Sequence, residues 1–141
     1  MILGIGCDIL NLIRMERELA REEGGFRDDV FTRAEIEYCE GMRHPARHFA
    51  ARFAAKEALI KALARVPETG LSWREMEITT GPDGEPAVVL HGSVRDLATS
   101  LKVKKVLVSL SHTAELATAL VILESCWIPG STPNAGTEAG G

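Results

Sequence analysis

Residues 52–63 read R-F-A-A-K-E-A-L-I-K-A-L, and how this stretch is read decides the fold. On a helical wheel at about 100° per residue, Phe49, Phe53, Leu59, Ile60 and Leu63 fall on one side. Ala51, Ala55, Ala58 and Ala62 line the other side, a smooth surface that another element can approach closely. Arg52 and Lys56 fall inside the bulky stripe, and Glu57 and Lys61 lie together at its margin. No broad solvent face remains, so the pattern predicts a helix covered on most of its circumference. Charges in such a place are costly unless they are paired or hold a ligand. The plain alternative is an i,i+4 pair between Glu57 and Lys61, with Arg52 and Lys56 extending their charged ends to solvent.

Working outward, His44-Pro45 starts this helix, with Pro45 in a first turn that needs no N–H. The helix is expected to run to about Arg65 and stop before Pro67. Upstream, Thr32 with Glu35 is a capping-box pattern for a helix from Arg33 to about Glu40. A further helical pattern runs from about Asn11 to Glu23 and ends at Gly24-Gly25. The N-terminal run Ile2–Ile9, broken by Gly4 and Gly6, reads as a buried strand ending near Asp8. Downstream, Met76–Thr80 and Ala87–His91 flank G-P-D-G-E-P, a hairpin signal. Ser93 is placed as the cap of a helix to about Leu101. Lys105–Ser111 and Leu116–Glu124 read as a second hairpin around H-T-A-E. The class is therefore α+β, a mostly antiparallel sheet packed against a long helix and shorter helices. One domain is expected over residues 1–124, with a flexible tail over 125–141.

The 141 residues carry a formal net charge of −4. No overall basic field favours nucleic acid. No apolar run is long enough to span a bilayer, and the start lacks the pattern of a signal peptide. Cys7, Cys39 and Cys126 form no paired motif and fit reduced thiols, so a cytoplasmic protein is expected.

Two further positions join the charged helix. Asp8 closes an apolar strand beside two glycines, where a backbone can approach a ligand, although an Asp there also serves as an ordinary turn residue. Val106, Val108, Leu110 and His112 alternate onto one sheet face, and a His in that place is often purely structural. Together the residues are chemically coherent. Asp8 and Glu57 are hard oxygen ligands suited to Mg²⁺, which takes one or two carboxylates with waters and substrate phosphates. Lys56, Lys61 and His112 add positive charge suited to a pyrophosphate.

G-I-G-C-D-I at 4–9, R-F-A-A-K-E-A-L-I-K-A at 52–62 and V-S-L-S-H-T at 108–113 resemble the holo-acyl-carrier-protein synthase group of 4′-phosphopantetheinyl transferases, in order and in spacing. The resemblance covers about residues 1–124. It implies the fold of that group, a homotrimer with CoA bound between subunits, and transfer of phosphopantetheine from CoA to a serine of an acidic apo acyl carrier protein, releasing 3′,5′-ADP. It also implies Asp8 and Glu57 as Mg²⁺ ligands, Lys61 near the CoA phosphates, and His112 with Thr113 near a CoA phosphate. Arg52 and Lys56 are assigned to the same CoA cleft. Glu57, directly or through a water, is the candidate acceptor of the serine proton. Arg14, Arg17 and Arg21 fall within about 60° of one another on the first helix. This basic ridge is the expected docking face for the carrier, with a solvated face balanced by Glu18 and Glu22 as the alternative.

One departure stands out. Many members carry a glycine-rich turn such as F-G-T-G-I after this helix, whereas this chain reads L-A-R-V-P-E-T-G. Arg65 is the candidate to supply charge in its place. His44 and His48 have i,i+4 spacing but no third metal ligand nearby. Cys7 has no local base, and Ser109, Ser111 and His112 do not form a compact nucleophile–base pair on a strand. The rival reading is a CoA- or nucleotide-binding module without chemistry, and the two carboxylates with Lys61 favour the enzyme.

Overall fold

Gly4 and Gly6 let the first strand lie directly against the long helix, and the rest of the architecture follows from that contact. The computed structural model describes residues 1–21, 23–64 and 70–126. Strand β1 spans Ile2–Asn11 and α4 spans Pro45–Leu63. A Cβ at Gly4 would overlap the carbonyl oxygen of Ala62, and one at Gly6 that of Ala58. The strand runs beyond the expected end because Leu10 stays in register with Ala117 and is buried. Asn11 then caps α1 (Leu12–Ala20), its Oδ1 accepting the N–H of Ile13 at 2.8 Å.

Strands β4 (Lys105–His112) and β5 (Leu116–Glu124) form the expected hairpin, and the antiparallel sheet has the order β1-β5-β4. The inner face of this sheet carries Gly6, Asp8 and Leu10 opposite Val121, Ala119 and Ala117. Those three pair on their other side with Val108, Leu110 and His112. Helix α4 covers this face, and Ala54, Ala55, Ala58 and Leu59 are sealed from solvent. The expected two-sided burial of α4 is present.

The other side of α4 is covered by α2 (Phe26–Val30), α3 (Arg33–Glu40), a 3-10 turn (Trp73–Glu75) and the hairpin of β2 (Met76–Thr80) with β3 (Pro86–Leu90). Helix α3 begins with the capping box read from Thr32 and Glu35. Helix α2 was not expected; five residues entered through Gly25 at φ 62° give no periodic signal.

Helix α5 (Gly92–Ser100) corrects the expected cap. His91 is its N-cap residue, and the Ser93 hydroxyl donates to Glu75 at 2.6 Å. The Glu75 carboxylate also accepts the Val94 N–H at 3.1 Å, so a side chain distant in sequence takes the capping role. Helix α4 ends at Leu63, two residues early, where Ala64 turns left-handed with φ 52°. Arg65 and Pro67 lie outside the described residues, as do residues 127–141, most of the expected tail. No helix among the described residues is long and apolar enough to cross a membrane.

Candidate active site

The carboxylate of Asp8 reaches the margin of α4 because the two glycines before it have no side chains to hold the strand away. Lys61, one turn after Glu57, donates to Asp8 Oδ1 at 2.9 Å and to the Cys7 carbonyl at 3.0 Å. The hydrogen bond it donates to Asp8 raises the Lys61 pKa above its ordinary value, so the ammonium is held charged. Partial burial, and then the charge of Asp8, raise the Glu57 pKa, opposed by Lys61 and Arg14. Two carboxylates and one ammonium therefore sit together at the rim of α4. Among the described residues no cluster of three or more His, Cys, Asp or Glu side chains could hold a metal unaided. An Asp8–Glu57 pair fits a hard divalent cation that completes its shell with water and substrate phosphate.

The other expected residues fall elsewhere. His112 ends β4 on the same sheet face as Asp8, and its ring lies 5.8 Å from that of His48. His48 in turn packs edge-on against Tyr38 at 6.0 Å. Burial, followed by the charges of Arg52 and His112, lowers the His48 pKa, which favours its neutral form. Thr113 is exposed beside His112, with its hydroxyl oxygen accepting the N–H of Glu115 and Leu116 at 3.2 and 3.1 Å. His48 and Glu57 are nine residues apart on α4, about 13 Å along the axis. A single chain thus carries an acidic and a basic cluster at different heights on one helix.

Arg52 and Lys56 differ from each other. Arg52 is 3% exposed, donates to Thr80 Oγ1 at 2.7 Å and lies 4.2 Å over the Tyr38 ring. Its Nε is buried and has no hydrogen-bond partner among the described residues, and the residue lines a cavity with Tyr38, Glu77, Thr79 and Thr80. Lys56 is wholly buried, and its ammonium donates to the Val30 carbonyl, Glu35 Oε1 and the Trp73 carbonyl at 2.7, 2.7 and 3.1 Å. All three protons are used and no face is open. The assignment of Lys56 to CoA is therefore corrected: it is an internal cation, the partner of a buried carboxylate.

Arg14, Arg17 and Arg21 are exposed and line one concavity with Asn11, Ile13 and Glu18. Arg21 lies 3.5 Å from Glu18, so part of the ridge is neutralised. Beside it lies a hollow lined by Leu10, Met15, Phe26 and Phe53 together with Arg14 and Glu18. Phe26 carried no signal in the sequence because it belongs to α2. Phe53 was visible only as one residue of a bulky stripe.

A profile of the 4′-phosphopantetheinyl transferase superfamily matches residues 4–121. The holo-acyl-carrier-protein synthase of Geotalea daltonii is 41% identical over 124 residues, covering 88% of this chain and 99% of its own. That of Geobacter sulfurreducens is 42% identical over 126 residues, covering 88% and 98%. The crystal structure of the holo-acyl-carrier-protein synthase from Neisseria meningitidis matches with a TM-score of 0.80 at 28% identity, covering 89% of this chain and 100% of that one. The Helicobacter pylori enzyme, solved in complex with coenzyme A, matches with a TM-score of 0.74 at 28% identity, covering 85% and 99%. With the profile covering residues 4–121, relatives about 40% identical over most of the chain and the same fold in the solved structures, the chain belongs to the 4′-phosphopantetheinyl transferase superfamily.

Proposed function

We infer that the chain transfers the 4′-phosphopantetheine group of CoA to a serine of an apo acyl carrier protein and releases 3′,5′-ADP. The observation that carries this reading is the convergence of Asp8, Glu57 and Lys61 at one rim of α4. The serine oxygen attacks the β-phosphorus of CoA, a new P–O bond forms, and the bond to the departing 3′,5′-ADP breaks. Asp8 and Glu57 are the residues that would hold Mg²⁺, which when bound neutralises charge on the pyrophosphate. Lys61 adds a fixed positive charge beside the same phosphates. Glu57, its pKa already raised, is suited to take the serine proton, directly or through a water.

The nucleotide end of CoA is assigned to the basic cluster, with His112 and Thr113 toward phosphate. Arg52 supports this end, because it lines a cavity bordered by Tyr38, which leads through His48 to His112. The separation of the two clusters supports a site completed by a neighbouring copy. The sheet face away from α4 supports the same reading, since Ile5 and Ile9 are 63% and 64% exposed there beside Leu107 and Leu120. Apolar surface of this kind marks an association face, and a homotrimer closing over it is the proposed assembly. Arg14, Arg17 and Arg21 are proposed to steer and orient the acidic carrier, and the setting is the cytoplasm.

The test mixes the protein with CoA, Mg²⁺ and several apo carrier proteins and follows carrier mass. Absence of a phosphopantetheine adduct on every carrier sinks the reading. For the assembly, Ile9→Asp is expected to give monomers by light scattering and to abolish transfer. Mixing Asp8→Asn and His112→Ala subunits should recover part of the activity; failure to recover any with mixed oligomers present would refute a shared site.

A further inference from the structure

Lys56 and Glu35 form an ion pair sealed inside the protein, with side-chain exposures of 0% and 1%. Nothing in the reaction touches them. Their hydrogen bonds are nevertheless complete. Lys56 spends its three protons on Val30, Glu35 and Trp73, while Glu35 accepts from Lys56, from the Thr32 N–H at 2.9 Å and from the Ile78 N–H at 3.2 Å. One point on α4 is thereby tied to the end of α2, to the first turn of α3, to the 3-10 turn and to β2. Buried ion pairs of this kind are weak sources of stability, and apolar side chains of similar volume often do as well or better. Directional bonds supply something that apolar contact does not, a fixed angular setting.

That setting matters here because the other face of α4 is made of Ala51, Ala55, Ala58 and Ala62. These methyl groups offer shallow ridges against β1, so the rotation of the helix is set from its opposite side, where Lys56 lies among buried Phe49, Leu59 and Leu63. Glu57 follows Lys56 directly and lies about 100° around the helix. We propose that the Lys56–Glu35 pair is a positioning device for phosphopantetheine transfer, clamping the rotation of α4 that presents Glu57 to Asp8. The inference rests on the proposed reaction for its kinetic consequence but not for its geometric one. A carboxylate roughly 6 Å from the helix axis moves about 1 Å for a rotation of about 10°. Misplacement on that scale can slow a reaction about a hundredfold.

The test replaces the pair by neutral side chains of similar size, Lys56→Met with Glu35→Gln, where the single amide oxygen can keep the Thr32 N–H bond while the Ile78 N–H loses its acceptor. A second variant, Glu35→Asp, keeps both charges and shortens the arm by one methylene, which covers failure of the first to fold. Each folded variant is expected to bind CoA in calorimetry within about twofold of wild type. The value of kcat is expected to fall by roughly 10- to 100-fold while KM for CoA is unchanged. A crystal structure of either variant should show the Glu57 carboxylate displaced by about 1 Å relative to Asp8. Wild-type kcat, or an unmoved Glu57, in a folded variant overturns the proposal. The crystallographic arm stands even if no carrier protein is modified by the wild type, so failure of the functional reading and failure of this one are told apart.

Discussion

Gly6→Ala tests the contact on which the site is built. The added Cβ would overlap the Ala58 carbonyl oxygen and lie 2.8 and 2.9 Å from the carbonyl carbon of Ala58 and the nitrogen of Ala62. These are backbone atoms of a helix, so no rotamer change relieves them. An ordinary carbon contact lies near 3.5 Å, so β1 and α4 must part by more than about 1 Å. Overpacking of this kind costs roughly 1–3 kcal/mol. At about 2–4 °C per kcal/mol for a chain near this size, the melting temperature should fall by roughly 2–12 °C. Asp8 is two residues further along the same strand, and its 2.9 Å bond to Lys61 spans the contact being opened. A shift of about 1 Å there should lower kcat by around a hundredfold in the carrier-mass assay, beyond any loss of folded protein. Gly41→Ala is the control, since Gly41 has φ −75° and its added Cβ would lie no nearer than 3.4 Å to any atom. A folded Gly6→Ala protein with wild-type melting and wild-type kcat would refute the argument that the glycines bring Asp8 to the helix.

Ala64 ends α4 with φ 52°, a conformation costly for any residue with a Cβ. Ala64→Gly should therefore raise stability by about 0.5–1 kcal/mol, and an unchanged or lower melting temperature would count against it. The Glu57 pKa is raised, so the folded state holds this proton more tightly than the unfolded chain does. Ionised Glu57 thus costs stability above its raised pKa, and that cost disappears as pH falls toward the ordinary carboxylate range. Glu57→Gln should then melt higher than wild type at neutral pH, lose the advantage in acid and have almost no transferase activity; a pH-independent difference in melting would contradict this. Burial pushes the Cys39 thiol up from 9.0 to about 12, roughly a thousandfold less thiolate at a given pH. A thiol reagent at pH 8 should modify exposed Cys126 and leave Cys39 until unfolding, so equal rates at the two sites would disprove the buried assignment.

Local signals and long-range pairing were legible to different degrees. The capping box placed α3 to the residue because both its groups lie within one turn. Alternation placed β4 and β5 because one face of each packs on α4. The same locality misled at Ser93, a good cap residue in isolation, because Glu75 reaches the α5 N-terminus from another element. Asp8, Glu57 and Lys61 could be read as a group because short motifs carry them. Glu35 was read as a capping residue and explained by that role, so nothing in the local sequence marked it as the partner of Lys56, 21 residues away. The separation of the His112 cluster from Glu57 likewise depends on how far apart His48 and Glu57 lie along α4, a distance that motif spacing leaves unstated.

The charges on α4 divide by direction. Glu57 and Lys61 face the rim, where Asp8 can meet them, and both have ionisation shifted by that meeting. Lys56 faces inward, where desolvation lowers its pKa and Glu35 opposes the shift. A helix packed on alanines and glycines can come close to its strand, which brings Asp8 within reach of Lys61. The same smooth packing leaves its rotation to be set from the opposite side. Close approach and fixed rotation are separate requirements, and this chain meets them with separate residues, Gly4 and Gly6 for the first and Lys56 with Glu35 for the second. That division accounts for a costly buried ion pair one residue from Glu57. It also makes the two requirements separable by experiment: Gly6→Ala should open the β1–α4 contact, whereas neutralising the Lys56–Glu35 pair should leave that contact closed and turn Glu57 relative to Asp8.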